Sequence, residues 1–129
     1  MGSRLEVWEK KLHGVLQRVD VMLENEFGDR WPLHPARPPR GTAANPQYDG
    51  LFRLTASFSA GIGSELGPGY VFRVEMVTLS AIPTKVRQKI ETKAVERLRE
   101  LLPEAFPGRQ LEVDRDGNVF KIYGDLTLS

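Results

Sequence analysis

His34, Arg37 and Arg40 stand close together in a proline-rich stretch that carries no acidic residue between positions 30 and 48. An imidazole that titrates near neutrality can act as general base or acid, and guanidinium groups hold a carboxylate or phosphate by paired hydrogen bonds. The three together have the chemistry of an anion site, which Asn45, Tyr48 and Asp49 would extend. Prolines alternating with small and polar residues also describe an ordinary surface connector, in which no spacing fixes a partner for His34. That plainer reading carries more weight.

Gly61, Gly63, Gly67 and Gly69 punctuate a second stretch, 61–69. Glycine lets a backbone approach a phosphate closely, but the dinucleotide fingerprint needs a third glycine where Leu66 stands, and a helix after it. The Walker lysine is absent as well. A hairpin loop whose glycines supply positive φ is favoured over a phosphate cradle. Convergence of Arg37 and Arg40 with the backbone N–H groups of 61–69 on one oxyanion, with His34 at its edge, is the anion site the sequence allows. The two segments flank opposite ends of a strand about 33 Å long, so they meet only if the proline loop doubles back or a second subunit brings its own loop across.

Other chemistry is scarce. Cysteine is absent, which excludes disulfides, Cys-ligated zinc, iron–sulfur clusters and thiol catalysis, and His13 and His34 are the two histidines of the 129 residues. No metal site and no cofactor are expected. A formal charge of +1 gives no general attraction to nucleic acid or anionic lipid, and nucleic acid is not an expected partner. No apolar run approaches the roughly 18–20 residues of a spanning helix, and the N-terminus lacks a secretory pattern. A cytoplasmic location without membrane contact is the expectation.

The elements that must position these residues follow from apolar spacing. Leu5, Trp8, Leu12, Val15, Val19 and Met22 step by three and four, with Leu16, Leu23 and Phe27 widening the stripe, so residues 4–27 are predicted to form an amphipathic helix stopped by Gly28. Five of the nine prolines then make 29–49 a long loop. Phe52, Leu54, Ala56, Phe58 and Ala60 alternate with Arg53, Thr55, Ser57 and Ser59, as do Tyr70, Phe72, Val74 and Met76 with their neighbours, which predicts two antiparallel strands around 61–69. Val86, Ile90, Ala94, Leu98, Leu101 and Leu102 mark a second helix over 83–102, opened by Pro83 and ended by Pro103. Leu111 and Val113, then Val119, Phe120 and Ile122, flank Asp116-Gly117 as a second hairpin, with Leu126 and Leu128 extending its edge. The fold class is α+β: one domain over 1–129, a two-layer sandwich of order α-β-β-α-β-β with a four-stranded antiparallel sheet and two helices on one face. Short echoes, 26–30 with 105–109 and 49–54 with 116–122, raise a duplication that shared turn chemistry explains as well.

Several surfaces remain. Val7, Gly14 and Val21 recur every seven residues on the polar back of the first helix, and the small Gly14 would admit a close neighbour, which makes this stripe a candidate self-association interface. Lys85, Lys89 and Lys93 form a solvated face with Glu96 and Glu100. Arg87 and Glu91 are spaced to pair at the rim of the sheet. The open sheet face should present Arg53, Thr55, Ser57, Arg73, Glu75, Glu112, Lys121 and Tyr123. No acid–base pair, metal cluster or activated nucleophile has a recognisable spacing, so the leading expectation is a binding or assembly module that acts through protein–protein contacts as a homodimer. The alternative is a small ligand-binding domain or enzyme for an anionic metabolite that uses the 29–49 and 61–69 loops.

Overall fold

Where the apolar period changes from helical to alternating, the chain changes from helix to strand. The computed structural model describes residues 4–126 and contains α1 (Arg4–Phe27), β1 (Phe52–Ser59), β2 (Gly69–Met76), α2 (Thr84–Ala105), β3 (Leu111–Asp116) and β4 (Val119–Gly124), with a single 3₁₀ turn at Pro46–Tyr48 in the long loop. The sheet is antiparallel in the order β1-β2-β4-β3. Trp8, Leu12, Val19 and Leu23 of α1 and Ile90, Ala94, Leu98 and Leu101 of α2 share one core with Phe52, Leu54, Tyr70, Phe72, Val113 and Ile122. The two-layer α+β sandwich and its element order are those the sequence predicts.

Read from either edge, the sheet runs first strand, second strand, second strand, first strand, so it consists of two α-β-β halves joined between β2 and β4. A phenylalanine closes each helix: Phe27 ends α1 and Phe106 caps α2, both buried. The strand echo does not respect this equivalence. Asp49-Gly50 precedes β1, a first strand, whereas Asp116-Gly117 precedes β4, a second strand; shared turn chemistry accounts for that match.

Four details depart from expectation. Leu5 and Phe58 are exposed, Phe58 at 61%: Leu5 lies in the first turn of α1 and Phe58 near the end of the edge strand β1. Pro103 does not end α2: it sits inside the last turn, and the helix runs to Ala105, where the Phe106 N–H reaches the Leu102 carbonyl. Proline removes one bond there, to the Arg99 carbonyl, and the remaining turn is held by buried Leu101, Leu102 and Phe106. Arg87 is exposed and makes no ion pair with Glu91; the start of α2, residues 84–89, is exposed apart from half-buried Val86. Leu126 lies outside any strand, and Leu128 is outside the described residues.

Restoring the missing helical bond should stabilise the fold. Pro103→Ala is expected to raise the unfolding free energy by about 1–2 kcal/mol, the helix-interior cost of proline less the entropy it removes from the unfolded chain. Urea unfolding measures this, and an unchanged or lowered midpoint contradicts it.

Candidate functional site

Two carboxylates interrupt the buried stripe of α1. Leu12, Leu16, Asp20 and Glu24 form one i+4 row along the helix, and Asp20 and Glu24 are only 7% and 6% exposed. That row was legible in the sequence as a line of spacing, but its last two members read as polar and so as solvent-facing. Glu24 Oε1 accepts the Phe52 N–H at 2.8 Å, which fastens α1 to the start of β1. Gly50 makes this approach possible. Its φ is +72°, and a Cβ there would stand 2.5 Å from the Glu24 carboxylate oxygen. Asp49, also buried, accepts the N–H groups of Gly41 and Ala43 at 3.0 and 2.9 Å and so closes the long loop on itself.

Burial pushes the Asp20 carboxyl up to about 7; the neighbouring Glu24 carboxylate acts in the same direction, and Arg40 and Arg37 oppose both. Asp20 Oδ1 has no hydrogen-bond partner among the described residues. Glu24 is raised by burial too, against the two backbone N–H groups of Phe52 and Leu51 that favour its charged form.

The three residues expected to hold an anion have other partners. Arg37 is enclosed by four backbone carbonyls: Nε donates to Gly50 at 3.0 Å, and Nη2 to Gln47, Asp49 and Phe52 at 2.7, 2.9 and 3.0 Å. His34 ties the loop to the end of β2 through its N–H to the Val77 carbonyl at 2.9 Å. Its Nδ1 accepts the Ala36 N–H at 3.0 Å, which puts the ring proton on Nε2 and engages the basic nitrogen. Arg40 is exposed and donates to Asn25 Oδ1 at 2.7 Å, on the wall of a cleft of about 540 Å³ that Trp31, Pro39 and Asp29 also line.

Gly61, Gly63, Gly67 and Gly69 lie at the far end of β1, about 26 Å away by strand rise, so the structure does not bring the two loops together within one chain. The glycine loop folds instead over the open sheet face. Gly61, at φ +82°, passes so close to Gly67 that a Cβ would stand 2.2 Å from its carbonyl carbon. Beneath the loop Lys121, 1% exposed, donates to Ser64 Oγ at 2.8 Å and the Gly67 carbonyl at 2.9 Å, and pairs with Asp116 at 2.9 Å. The sequence places Lys121 in solvent, and the loop that buries it was visible there only as a turn. Among the described residues no group of three or more His, Cys, Asp or Glu is arranged to hold a metal.

What the structure leaves open is the edge of β1. Leu51 turns its carbonyl toward β2, where it accepts the Val77 N–H at 2.7 Å, so Phe52 turns its own groups outward. Glu24 takes the Phe52 N–H and Arg37 its carbonyl. By the same alternation Leu54, Ala56 and Phe58 direct N–H and C=O away from β2, and among the described residues nothing pairs with them. Beside this edge runs a groove of about 360 Å³ between α1 and β1, with Leu12, His13, Leu16, Gln47, Leu54 and Ala56 along it. The opposite edge is capped at one point, and among the described residues the outward backbone groups of Leu111 and Arg115 have no partner either. Arg99 of α2 donates through Nε and Nη2 to the outward carbonyl of Val113 at 3.2 and 2.5 Å.

Fold and site thus define a small α+β sandwich whose β3 edge is capped at one carbonyl, that of Val113, and whose β1 edge is free beyond Phe52 among the described residues. A family model described as "Uncharacterised protein" matches residues 3–124, and the chain belongs to that family. It is 42% identical over 122 residues to an "Uncharacterized protein" of Borreliella burgdorferi (strain ATCC 35210 / DSM 4680 / CIP 102532 / B31), a match that covers 95% of each chain. No solved structure matches it.

Two measurements test this account of the buried charges. Arg37→Ala leaves four carbonyls short of a donor and is expected to cost about 2–4 kcal/mol of stability, with Arg37→Lys recovering little because an ammonium cannot span the same fork; a loss below about 0.5 kcal/mol contradicts it. Asp20 has a folded-state pKa above its unfolded value, so the folded chain binds more protons between about pH 4 and 7, and stability falls as pH rises through that window. Asp20→Asn should therefore be the more stable protein at pH 8, by about 1–2 kcal/mol, with the difference shrinking toward pH 4. Parallel stability profiles for the two proteins across pH overturn this.

Proposed function

We propose that the chain is a non-enzymatic binding and assembly module of the cytoplasm that acts through protein–protein contacts, as a homodimer, and that the open edge of β1 is its contact surface. The observation that carries this is the row of unpaired backbone groups at Leu54, Ala56 and Phe58 beside a groove that mixes apolar and polar side chains. Backbone donors and acceptors in this arrangement recruit a further strand, and pockets for alternate side chains give such an addition its specificity. The absence of cysteine supports an intracellular site of action, and no helix among the described residues is long and apolar enough to cross a membrane. The anionic-metabolite alternative has no comparable support, because the Arg37 donors are directed at carbonyls and the glycine loop lies at the other end of β1.

Display of random extended peptides against sparsely immobilised protein tests the reading. Sequences with apolar residues at alternate positions should be enriched on the native chain and lost on Ala56→Pro, which removes the central outward N–H without touching the β1–β2 ladder. Enrichment that survives Ala56→Pro, or none on the native chain, refutes strand addition at this edge.

A further inference from the structure

We infer that the strand received by this edge is β1 of a second copy, paired antiparallel about Ala56; the inference rests on the reading of β1 as an open, strand-accepting edge. In that register Ala56 faces its own equivalent, Leu54 faces Phe58 of the second copy and Phe58 faces its Leu54, so every outward N–H and C=O of the three residues finds a partner. The side chains agree. Phe58 points to the helix side, edge-on to Tyr70 at 5.6 Å, and is 61% exposed. Opposite Leu54 of the second copy it meets that copy's groove between α1 and β1, about 360 Å³, where Leu12, Leu16, Leu54 and Ala56 form the apolar part of a wall that is otherwise polar. Each copy thus carries one aromatic plug and one socket, the self-complementarity that a two-fold interface requires.

On the open face the same register sets Thr55 against Ser57 and Arg53 against Ser59, so hydroxyls meet hydroxyls and no like charges face one another. The α1 stripe is the poorer surface for a second copy. Val7 and Val21 are exposed, and nothing lies within 4 Å of a Cβ built on Gly14, but two α1 helices crossed antiparallel at Gly14 bring Lys10 opposite Arg18. Arg18 is moreover already engaged with Glu104 at 3.1 Å.

The cysteine-free chain makes the test direct. Sedimentation of the full-length protein should show a dimer of twice 14.5 kDa whose population rises with concentration. Phe58→Ala should weaken it by about tenfold or more, and Ala56→Pro should abolish it, with both variants folded by circular dichroism. Under mild oxidation Ala56→Cys should cross-link copy to copy, since residues facing each other across a hydrogen-bonded antiparallel pair lie about 5.5 Å apart at Cα, within disulfide range. Gly14→Cys should not. A dimer that cross-links through Gly14→Cys and not Ala56→Cys overturns the inference in favour of the helix stripe. A chain monomeric at every concentration overturns it while leaving strand addition intact if displayed peptides still select the edge; failure of both experiments removes the edge reading itself.

Discussion

A segment with five prolines between residues 29 and 49 cannot build a hydrogen-bonded ladder, so the carbonyls around it need donors from side chains, and the Arg37 guanidinium supplies them. Four carbonyls on one planar cation fix where Gln47, Asp49, Gly50 and Phe52 lie relative to one another. With the loop held there, Glu24 can reach the Phe52 N–H and Asp49 can turn back to Gly41 and Ala43. Buried charge thus orders a loop whose backbone cannot order itself. Loss of any member leaves polar groups without partners in a part-buried region, which is more costly than the bond itself is worth.

The same cluster decides where the sheet edge begins to be open. Phe52 is the last residue of β1 whose outward groups are taken, and the next three outward positions have none. At the other edge Arg99 covers Val113 and also pairs with Asp114 at 3.5 Å. Natural sheets rarely leave a long edge bare, because it templates pairing with other chains. Each edge is guarded at one residue, Phe52 on β1 and Val113 on β3, and the β1 edge runs beside the groove against α1. The glycine loop, by folding over Lys121, covers the open face near β4 and leaves the outer strand clear.

Helices, strands and the Asp116-Gly117 turn were readable because periodic burial and local turn chemistry act over a few residues, and each apolar position votes for the same face. The site was less readable because it rests on charges that the fold buries. Asp20, Glu24, Asp49 and Lys121 look like surface residues in any composition-based reading, and Arg37 looks like an anion ligand. What distinguishes them is the tertiary approach of 29–52 to α1 and of 61–69 to β4, contacts across long sequence separations that no local pattern encodes. Pro103 shows a lesser version of the same limit: proline usually ends a helix, but the buried side chains after it hold one further turn.

The two halves put the edge asymmetry in its simplest form. Seven residues before the phenylalanine that closes each helix stand Asp20 in α1 and Arg99 in α2, and each lies toward the outer strand of its own half. Arg99 is long, permanently charged and a donor, so it reaches the outward carbonyl of Val113 and caps that one acceptor. Asp20 is short and, when ionised, accepts only. It lines a small cavity with Leu54, His13 and Gln47 but in its ionised form has no proton to give a strand carbonyl, and its own Oδ1 has no hydrogen-bond partner among the described residues. One position in the α-β-β plan, filled by a cation in one half and a carboxyl in the other, therefore gives the β3 edge a side-chain donor to an outward carbonyl that the β1 edge does not receive from the same place in α1.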